Sequence, residues 1–233
     1  MKKVLVFLFF ISNFILLSQE ERRLAFPEPD SSYREDQFYI GATFHVIRDL
    51  PSEVSQSGFS GGLHAGFIRD IPFNKRRNWA FGLGLGYSIN TYNHNLKVEN
   101  GDTSRTVFSE IPDLDDIDRN RFTTHLIETP IELRWRTSSP TDYKFWRIYA
   151  GLRLGYMHFF RATFKDDNGF TIKEKNPDGL DRLRLGTTLT FGWNTFNFHM
   201  YYSINSFFKN SETVIDQQGA FAVFKLGLMF YIL

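Results

Sequence analysis

The chain has no cysteine. That excludes disulfides, cysteine-held metals and a lipid anchor on a cysteine. It also has no charge excess: 27 Lys and Arg stand against 26 Asp and Glu, a net of +1, so no strong field points to nucleic acid. There is no apolar run long enough to cross a bilayer as a helix. The longest, residues 4–17, is about fourteen residues against the roughly twenty required, and Asn13 interrupts it. Lys2 and Lys3 precede this run and Ser18 follows it, which is the layout of a secretory leader; a membrane anchor is the alternative. Mean hydropathy is −0.29, a value that by itself describes a water-soluble chain. Aromatic residues, by contrast, are abundant, at 17% with 26 Phe and 10 Tyr.

The most regular stretch is residues 79–89, Trp-Ala-Phe-Gly-Leu-Gly-Leu-Gly-Tyr-Ser-Ile. Every second residue is large and apolar, and the residues between are Gly, Ala or Ser. A strand sends alternate side chains to opposite faces, so this strand has one bulky face and one nearly empty face. The water face of a soluble sheet carries residues such as Lys, Glu or Thr. Three glycines fit the crowded inside of a narrow barrel. The bulky face then points outward, where hydrocarbon makes it favourable. Strands of this kind hide their apolarity by alternation, so the mean hydropathy is no objection.

The same alternation recurs along the mature chain. After a charged, proline-bearing tail at 19–36, strands read at 38–49, 59–71, 79–89, 122–137, 145–164, 182–193, 196–208 and 220–233. The expected fold is all-β: a transmembrane antiparallel up-and-down barrel of about eight strands, the smallest of the outer-membrane type. The expected organisation is a leader at 1–18, a flexible periplasmic tail at 19–36 and one barrel domain at 37–233. Connections alternate long and short. Outer-membrane barrels have short periplasmic turns and longer external loops, so both chain ends are expected in the periplasm of an exported, outer-membrane protein. Trp79, Trp135, Trp146 and Trp193 all fall beside short turns, where an aromatic girdle would meet one membrane interface. A soluble lipocalin-type barrel would have to put the Trp, Phe, Tyr and Leu face inside, and that lumen is too narrow for it.

Three segments carry a resemblance: 125–136, His-Leu-Ile-Glu-Thr-Pro-Ile-Glu-Leu-Arg-Trp-Arg; 149–156, Tyr-Ala-Gly-Leu-Arg-Leu-Gly-Tyr; and 227–233, Gly-Leu-Met-Phe-Tyr-Ile-Leu. They resemble the PorT-like, porin-family outer-membrane barrel domain of Bacteroidetes-type bacteria, over roughly residues 38–233. The resemblance implies the barrel fold and an integral outer-membrane location. Through PorT it implies an accessory place in an outer-membrane, secretion-type complex. Membrane lipid, and other outer-membrane or periplasmic proteins, are the expected partners of a monomeric barrel.

Alternation places several charges inside. Glu128 is expected opposite Arg153, and Glu132 near Arg147 and Tyr149, as buried charges must be paired. Arg134, Arg184 and Lys225 then leave a positive surplus. This reads either as a plugged, hydrogen-bonded core or as a narrow path for small or anionic solutes. Pro130 cannot donate to a ladder, so a bulge or local break is expected there. The acidic stretch with Glu110, Asp113, Asp115, Asp116 and Asp118 could offer oxygen ligands to calcium, but it lacks the EF-hand spacing and reads as a solvated loop. Gly82, Gly84 and Gly86 lack the spacing and following helix of a phosphate loop. His45, His64, His125, His158 and His199 fall on different strands with no adjacent Ser and Asp. No enzyme, cofactor or metal site is therefore expected, and a barrel enzyme acting on lipid or peptide is the least favoured function.

Overall fold

The computed structural model describes residues 36–48, 55–100, 106–110, 117–137, 145–177, 180–207 and 222–232, with the side chains of 96–100, 106–110 and 117–118 outside that description. The leader at 1–18 and the tail at 19–35 lie outside the described residues. Eleven strands run in chain order: β1 (Gln37–Arg48), β2 (Gly61–Pro72), β3 (Trp79–Asn93), β4 (Leu96–Asn100), β5 (Thr106–Glu110), β6 (Ile117–Arg136), β7 (Trp146–Asp166), β8 (Thr171–Lys175), β9 (Leu183–Trp193), β10 (Phe196–Ser203) and β11 (Ala222–Ile232). Eight of them pair antiparallel in the order β6-β3-β2-β1-β11-β10-β9-β7, and β6 pairs with β7 to close the barrel. Closure leaves no edge inside the wall with unmet backbone groups, which is what a hydrocarbon solvent demands.

The bulky face is outside. In β3, Phe81, Leu83 and Leu85 are 53%, 50% and 63% exposed, while Ala80, Gly82, Gly86 and Ser88 between them are buried. β1 does the same, with Phe38, Ile40 and Phe44 exposed and Gln37, Tyr39, Thr43 and His45 buried. The glycines are inside because other side chains need the room. Tyr39, Gly66 and Gly86 occupy one row across β1, β2 and β3. The hydroxyl end of Tyr39 reaches over both glycines: a Cβ on Gly66 would meet its oxygen at 2.6 Å, and one on Gly86 would strike the same oxygen.

Two regions differ from the sequence expectation. The long segment after residue 89 is not all loop: β3 continues to Asn93, β6 starts at Ile117, and β4 pairs with β5 as a separate hairpin. Likewise β8 pairs with the end of β7, turning at Gly169 with φ 87°. Of the bulge or local break expected at Pro130, the structure shows the break and no bulge. Pro130 stands opposite Arg153 of β7, and the β3–β6 register is the same on either side of it, with the ladder to β3 interrupted only around Gly84 and Leu85. The missing N–H costs the ladder to one neighbour, and the ring settles against Gly84, where an added Cβ would meet Pro130 Cγ at 3.0 Å. The bulge in this part of the wall lies instead in β7. Register shifts between His125 and Leu126, leaving His158 without an opposite residue between Met157 and Phe159.

Gly86→Val is expected to destabilise the barrel by about 2 kcal/mol or more, since the new methyls have no space to enter. Electrophoresis of unheated samples should show loss of the compact, fast-migrating species. Leu85→Phe, one residue away on the outer face, should leave that species intact.

Candidate functional site

The chemistry of the molecule is concentrated in two places: the lumen, and the outer face where the wall rises past the bulge. The lumen is reached by alternation alone, and it is stacked in storeys. Next to the short connections, Asp70 of β2 accepts from both Arg134 and Arg136 of β6, at 3.0 and 2.8 Å, all three side chains fully buried. Arg134 also donates to Gln37 and lies 4.0 Å from the Tyr149 ring centroid. Arg147 sits between Phe145 and Tyr231, at 4.5 and 5.5 Å from their centroids.

The middle storey is a polar chain. Glu128 accepts from Ser88 at 2.9 Å and from Arg153 at 3.4 Å, and His64 Nδ1 stands 3.8 Å away. Asn90 donates to Ser88 at 3.1 Å and accepts from Lys225 at 2.8 Å. The Thr43 hydroxyl lies 2.8 Å from His64 and 2.9 Å from His45. At the far end the lumen is apolar: Ile47, Tyr92, Phe122, Leu126, Met157, Phe160 and Val223 form one buried cluster, with Phe207. Arg184 lies 4.0 Å from the Phe207 ring centroid and donates to the carbonyls of Asn205 and Ser206.

Two expectations about pairing need correction. The register between β6 and β7 differs by two residues from the expected one: Glu128 stands opposite Gly155 and Glu132 opposite Gly151. Arg153 therefore reaches Glu128 diagonally. Glu132 does not pair with Arg147; its ion-pair partner is Arg134 Nε at 3.7 Å, and Arg147 faces Arg136. Among the described residues the interior holds six buried cations, Arg134, Arg136, Arg147, Arg153, Arg184 and Lys225, against three buried carboxylates, Asp70, Glu128 and Glu132. Asp70 and Arg136 are the interior charges that the sequence reading missed, although both keep the inward parity of their strands.

Ser88 donates to the carboxylate and not to an imidazole, so Ser88, Glu128 and His64 are not in the order of a nucleophilic triad. Among the described residues, no three His, Asp or Glu side chains converge on a metal-sized space. Of the acidic stretch, residues 111–116 and the side chains of Glu110 and Asp118 lie outside the described residues.

On the outer face, Trp79 stands opposite Trp135 and Trp146 opposite Trp193, all at the rim of short connections. Tyr87 and Tyr156 flank Ile127 in a single row higher up. Eight residues separate Trp79 from Tyr87. At about 3.3 Å per residue and a tilt of about 40°, that is a belt roughly 20 Å tall, near the height of an outer-membrane barrel's apolar band.

Residues 17–209 match the family described as outer membrane protein beta-barrel domain. The chain belongs to that family. This outer membrane barrel domain thus carries the location with it: the bacterial outer membrane. Among curated proteins no match was found. Solved structures that resemble the barrel include two of Ail, the attachment invasion locus protein of Yersinia pestis. The complex with the heparin analogue sucrose octasulfate has a TM-score of 0.33 and 12% identity. The other has a TM-score of 0.34 and 11% identity. Each comparison covers 85% of this chain and 99% of the Ail chain.

Asp70→Ala leaves two guanidinium groups buried without their shared counter-ion. It is expected to cost about 3–5 kcal/mol of barrel stability, read from urea unfolding in detergent or lipid. Glu132→Gln should cost much less, because its carboxylate takes no hydrogen bond from the described side chains.

Proposed function

We propose that this chain works as a sealed outer-membrane barrel, a rigid support whose rims and long loops meet other molecules. The observation that supports it is the filled lumen. Tyr39, Ile68, Tyr149, Met229 and Tyr231 crowd the end by the short turns, the Glu128 chain occupies the middle, and the Phe122–Phe160 cluster blocks the far end. An eight-stranded wall encloses only enough width for such side chains. The four tryptophans then form a girdle at the periplasmic interface, with Tyr87 and Tyr156 at the external one, and the long connections lie outside the cell. The three segments that resemble PorT-like barrels favour an accessory subunit of an outer-membrane complex, secretion machinery included.

A second reading, a narrow pore for small anions, draws on the excess, among the described residues, of six buried cations over three carboxylates. Conductance separates the two. In planar bilayers the folded protein is expected to give no unitary current steps, and steps with chloride preference would replace the sealed barrel with the pore. Affinity capture from native outer membranes is expected to bring down a defined protein partner at fixed ratio. Recovery of the barrel alone would remove the accessory role.

A further inference from the structure

Beyond the His158 bulge, β6 and β7 rise together past the point where β9 leaves the wall. β7 pairs with β9 up to Tyr156 and Leu183, and with β8 from Arg161 and Lys175 onward. The result is a three-stranded ribbon, β6-β7-β8, standing on the far rim. Its inward positions hold Phe122, Phe160 and Ala162, all buried. Its outward positions follow from register and are strongly biased. One row is Thr123, Arg161 and Lys175. The next is Arg121, Thr163 and Lys173, and the third is Arg119, Lys165 and Thr171. Six of nine positions are Arg or Lys. None of the nine is a carboxylate, and Glu174 shares the inward register of Ala162.

Two features of this face bear on what it would meet. Arg161 stands directly opposite Lys175. Like charges in facing positions of a sheet destabilise it unless something bridges them. The second feature is continuity. The ribbon continues the same outer face as the apolar belt. Just below the cations, at the top of that belt, the Tyr87 hydroxyl lies 2.8 Å from His125 and 3.2 Å from His158, so polar groups already begin at this height. Thr123, in the row of Arg161, is four residues beyond Ile127, in the row of Tyr156, so the first cations stand about 10 Å above the tyrosines at the usual rise and tilt, the bulge residue adding no height.

We propose that the outward face of the β6-β7-β8 ribbon binds phosphate groups of the anionic glycolipid in the outer leaflet. This rests on the orientation given above, with the long connections outside. Arg offers paired N–H donors to phosphate and Lys a point charge. Cations spaced one strand and one row apart can hold phosphates on neighbouring sugars, and each Lys or Arg at a charged membrane surface adds attraction.

The test uses the full barrel in phosphatidylcholine nanodiscs. Retention of diphosphoryl lipid A is measured by native mass spectrometry, against dephosphorylated lipid A, inorganic phosphate and soluble heparin. Diphosphoryl lipid A is expected to be held at least about ten-fold more tightly than its dephosphorylated form. The combined variant Arg121→Gln, Arg161→Gln, Lys173→Gln and Lys175→Gln, with folding checked by electrophoretic mobility, should lose that preference. Lys75→Gln with Arg76→Gln, on the opposite rim, should keep it. Equal retention of both lipids, an unchanged combined variant, loss in the opposite-rim variant, or tighter binding of heparin than of lipid A would each overturn the proposal. The orientation is read separately. The chain has no native cysteine, so Lys173→Cys on intact cells reports directly to an impermeant maleimide. Absence of labelling would sink the orientation and this proposal with it, whereas labelling without lipid A preference sinks this proposal alone.

Discussion

Everything in this molecule follows from the closure of β6 on β7. Once eight strands close, the number of residues across the lumen is fixed, and the inside is narrow whatever the sequence. A narrow inside must be filled without clashes. The rows of small residues are the answer: Gly66 and Gly86 leave room for the hydroxyl end of Tyr39, and Gly82 accommodates the stem of Arg134. The large residues then have only one face left, and that face is tolerable only in hydrocarbon. Lipid exposure of Phe81, Leu83 and Leu85 is thus a consequence of the lumen's width, and not an independent feature.

Much of this was legible because alternation needs no knowledge of partners. The eight wall strands, the face each presents, the short-turn rim with its tryptophans and the inward Glu128, Arg153 and Lys225 all follow from period two. Register does not. Glu128 and Arg153 meet, but across a diagonal, because the two strands pair two residues out of the expected step. Asp70 keeps the parity of Gly62, His64 and Gly66, so its inward position was readable; its shared grip on Arg134 and Arg136 was not, since that needs β2 and β6 aligned through β3. The hairpins β4–β5 and β7–β8 were invisible for another reason. β4, β5 and β8 are five-residue strands in which at most two apolar residues alternate, as Leu96 and Val98 do in β4, too short a pattern to stand out in a polar segment.

The interior charges show how far a filled lumen can drift from neutrality. Among the described residues six cations and three carboxylates are buried, yet the cations are not equivalent. Arg134 and Arg136 share one carboxylate, Arg153 has Glu128, Arg184 is held by backbone carbonyls, and Lys225 by Asn90. Aromatic faces take up part of the remainder: Tyr149 beneath Arg134, and Phe145 and Tyr231 beside Arg147. Neutral acceptors and ring faces thus stand in for missing carboxylates. A filled core can carry positive charge on such partners, so the cation excess by itself does not choose the conducting path over the sealed barrel.

The bulge at His158 joins the two halves of the story. Period two carried unbroken up β7 would put Phe160 and Ala162 outside and Arg161, Thr163 and Lys165 inside. The extra residue reverses this. His158 and Phe159 both stay on the outer side, Phe160 turns in to close the apolar end of the lumen, and Arg161 turns out. From there its outward parity matches that of Arg119 and Arg121 on β6 and of Lys173 and Lys175 on β8. A one-residue slip flips every side chain beyond it, so a single insertion both turns Phe160 into the lumen and assembles a cationic face. It sits at the height where the outer side of the wall ceases to be apolar, which is where a strand leaving hydrocarbon has to change what it shows to its surroundings.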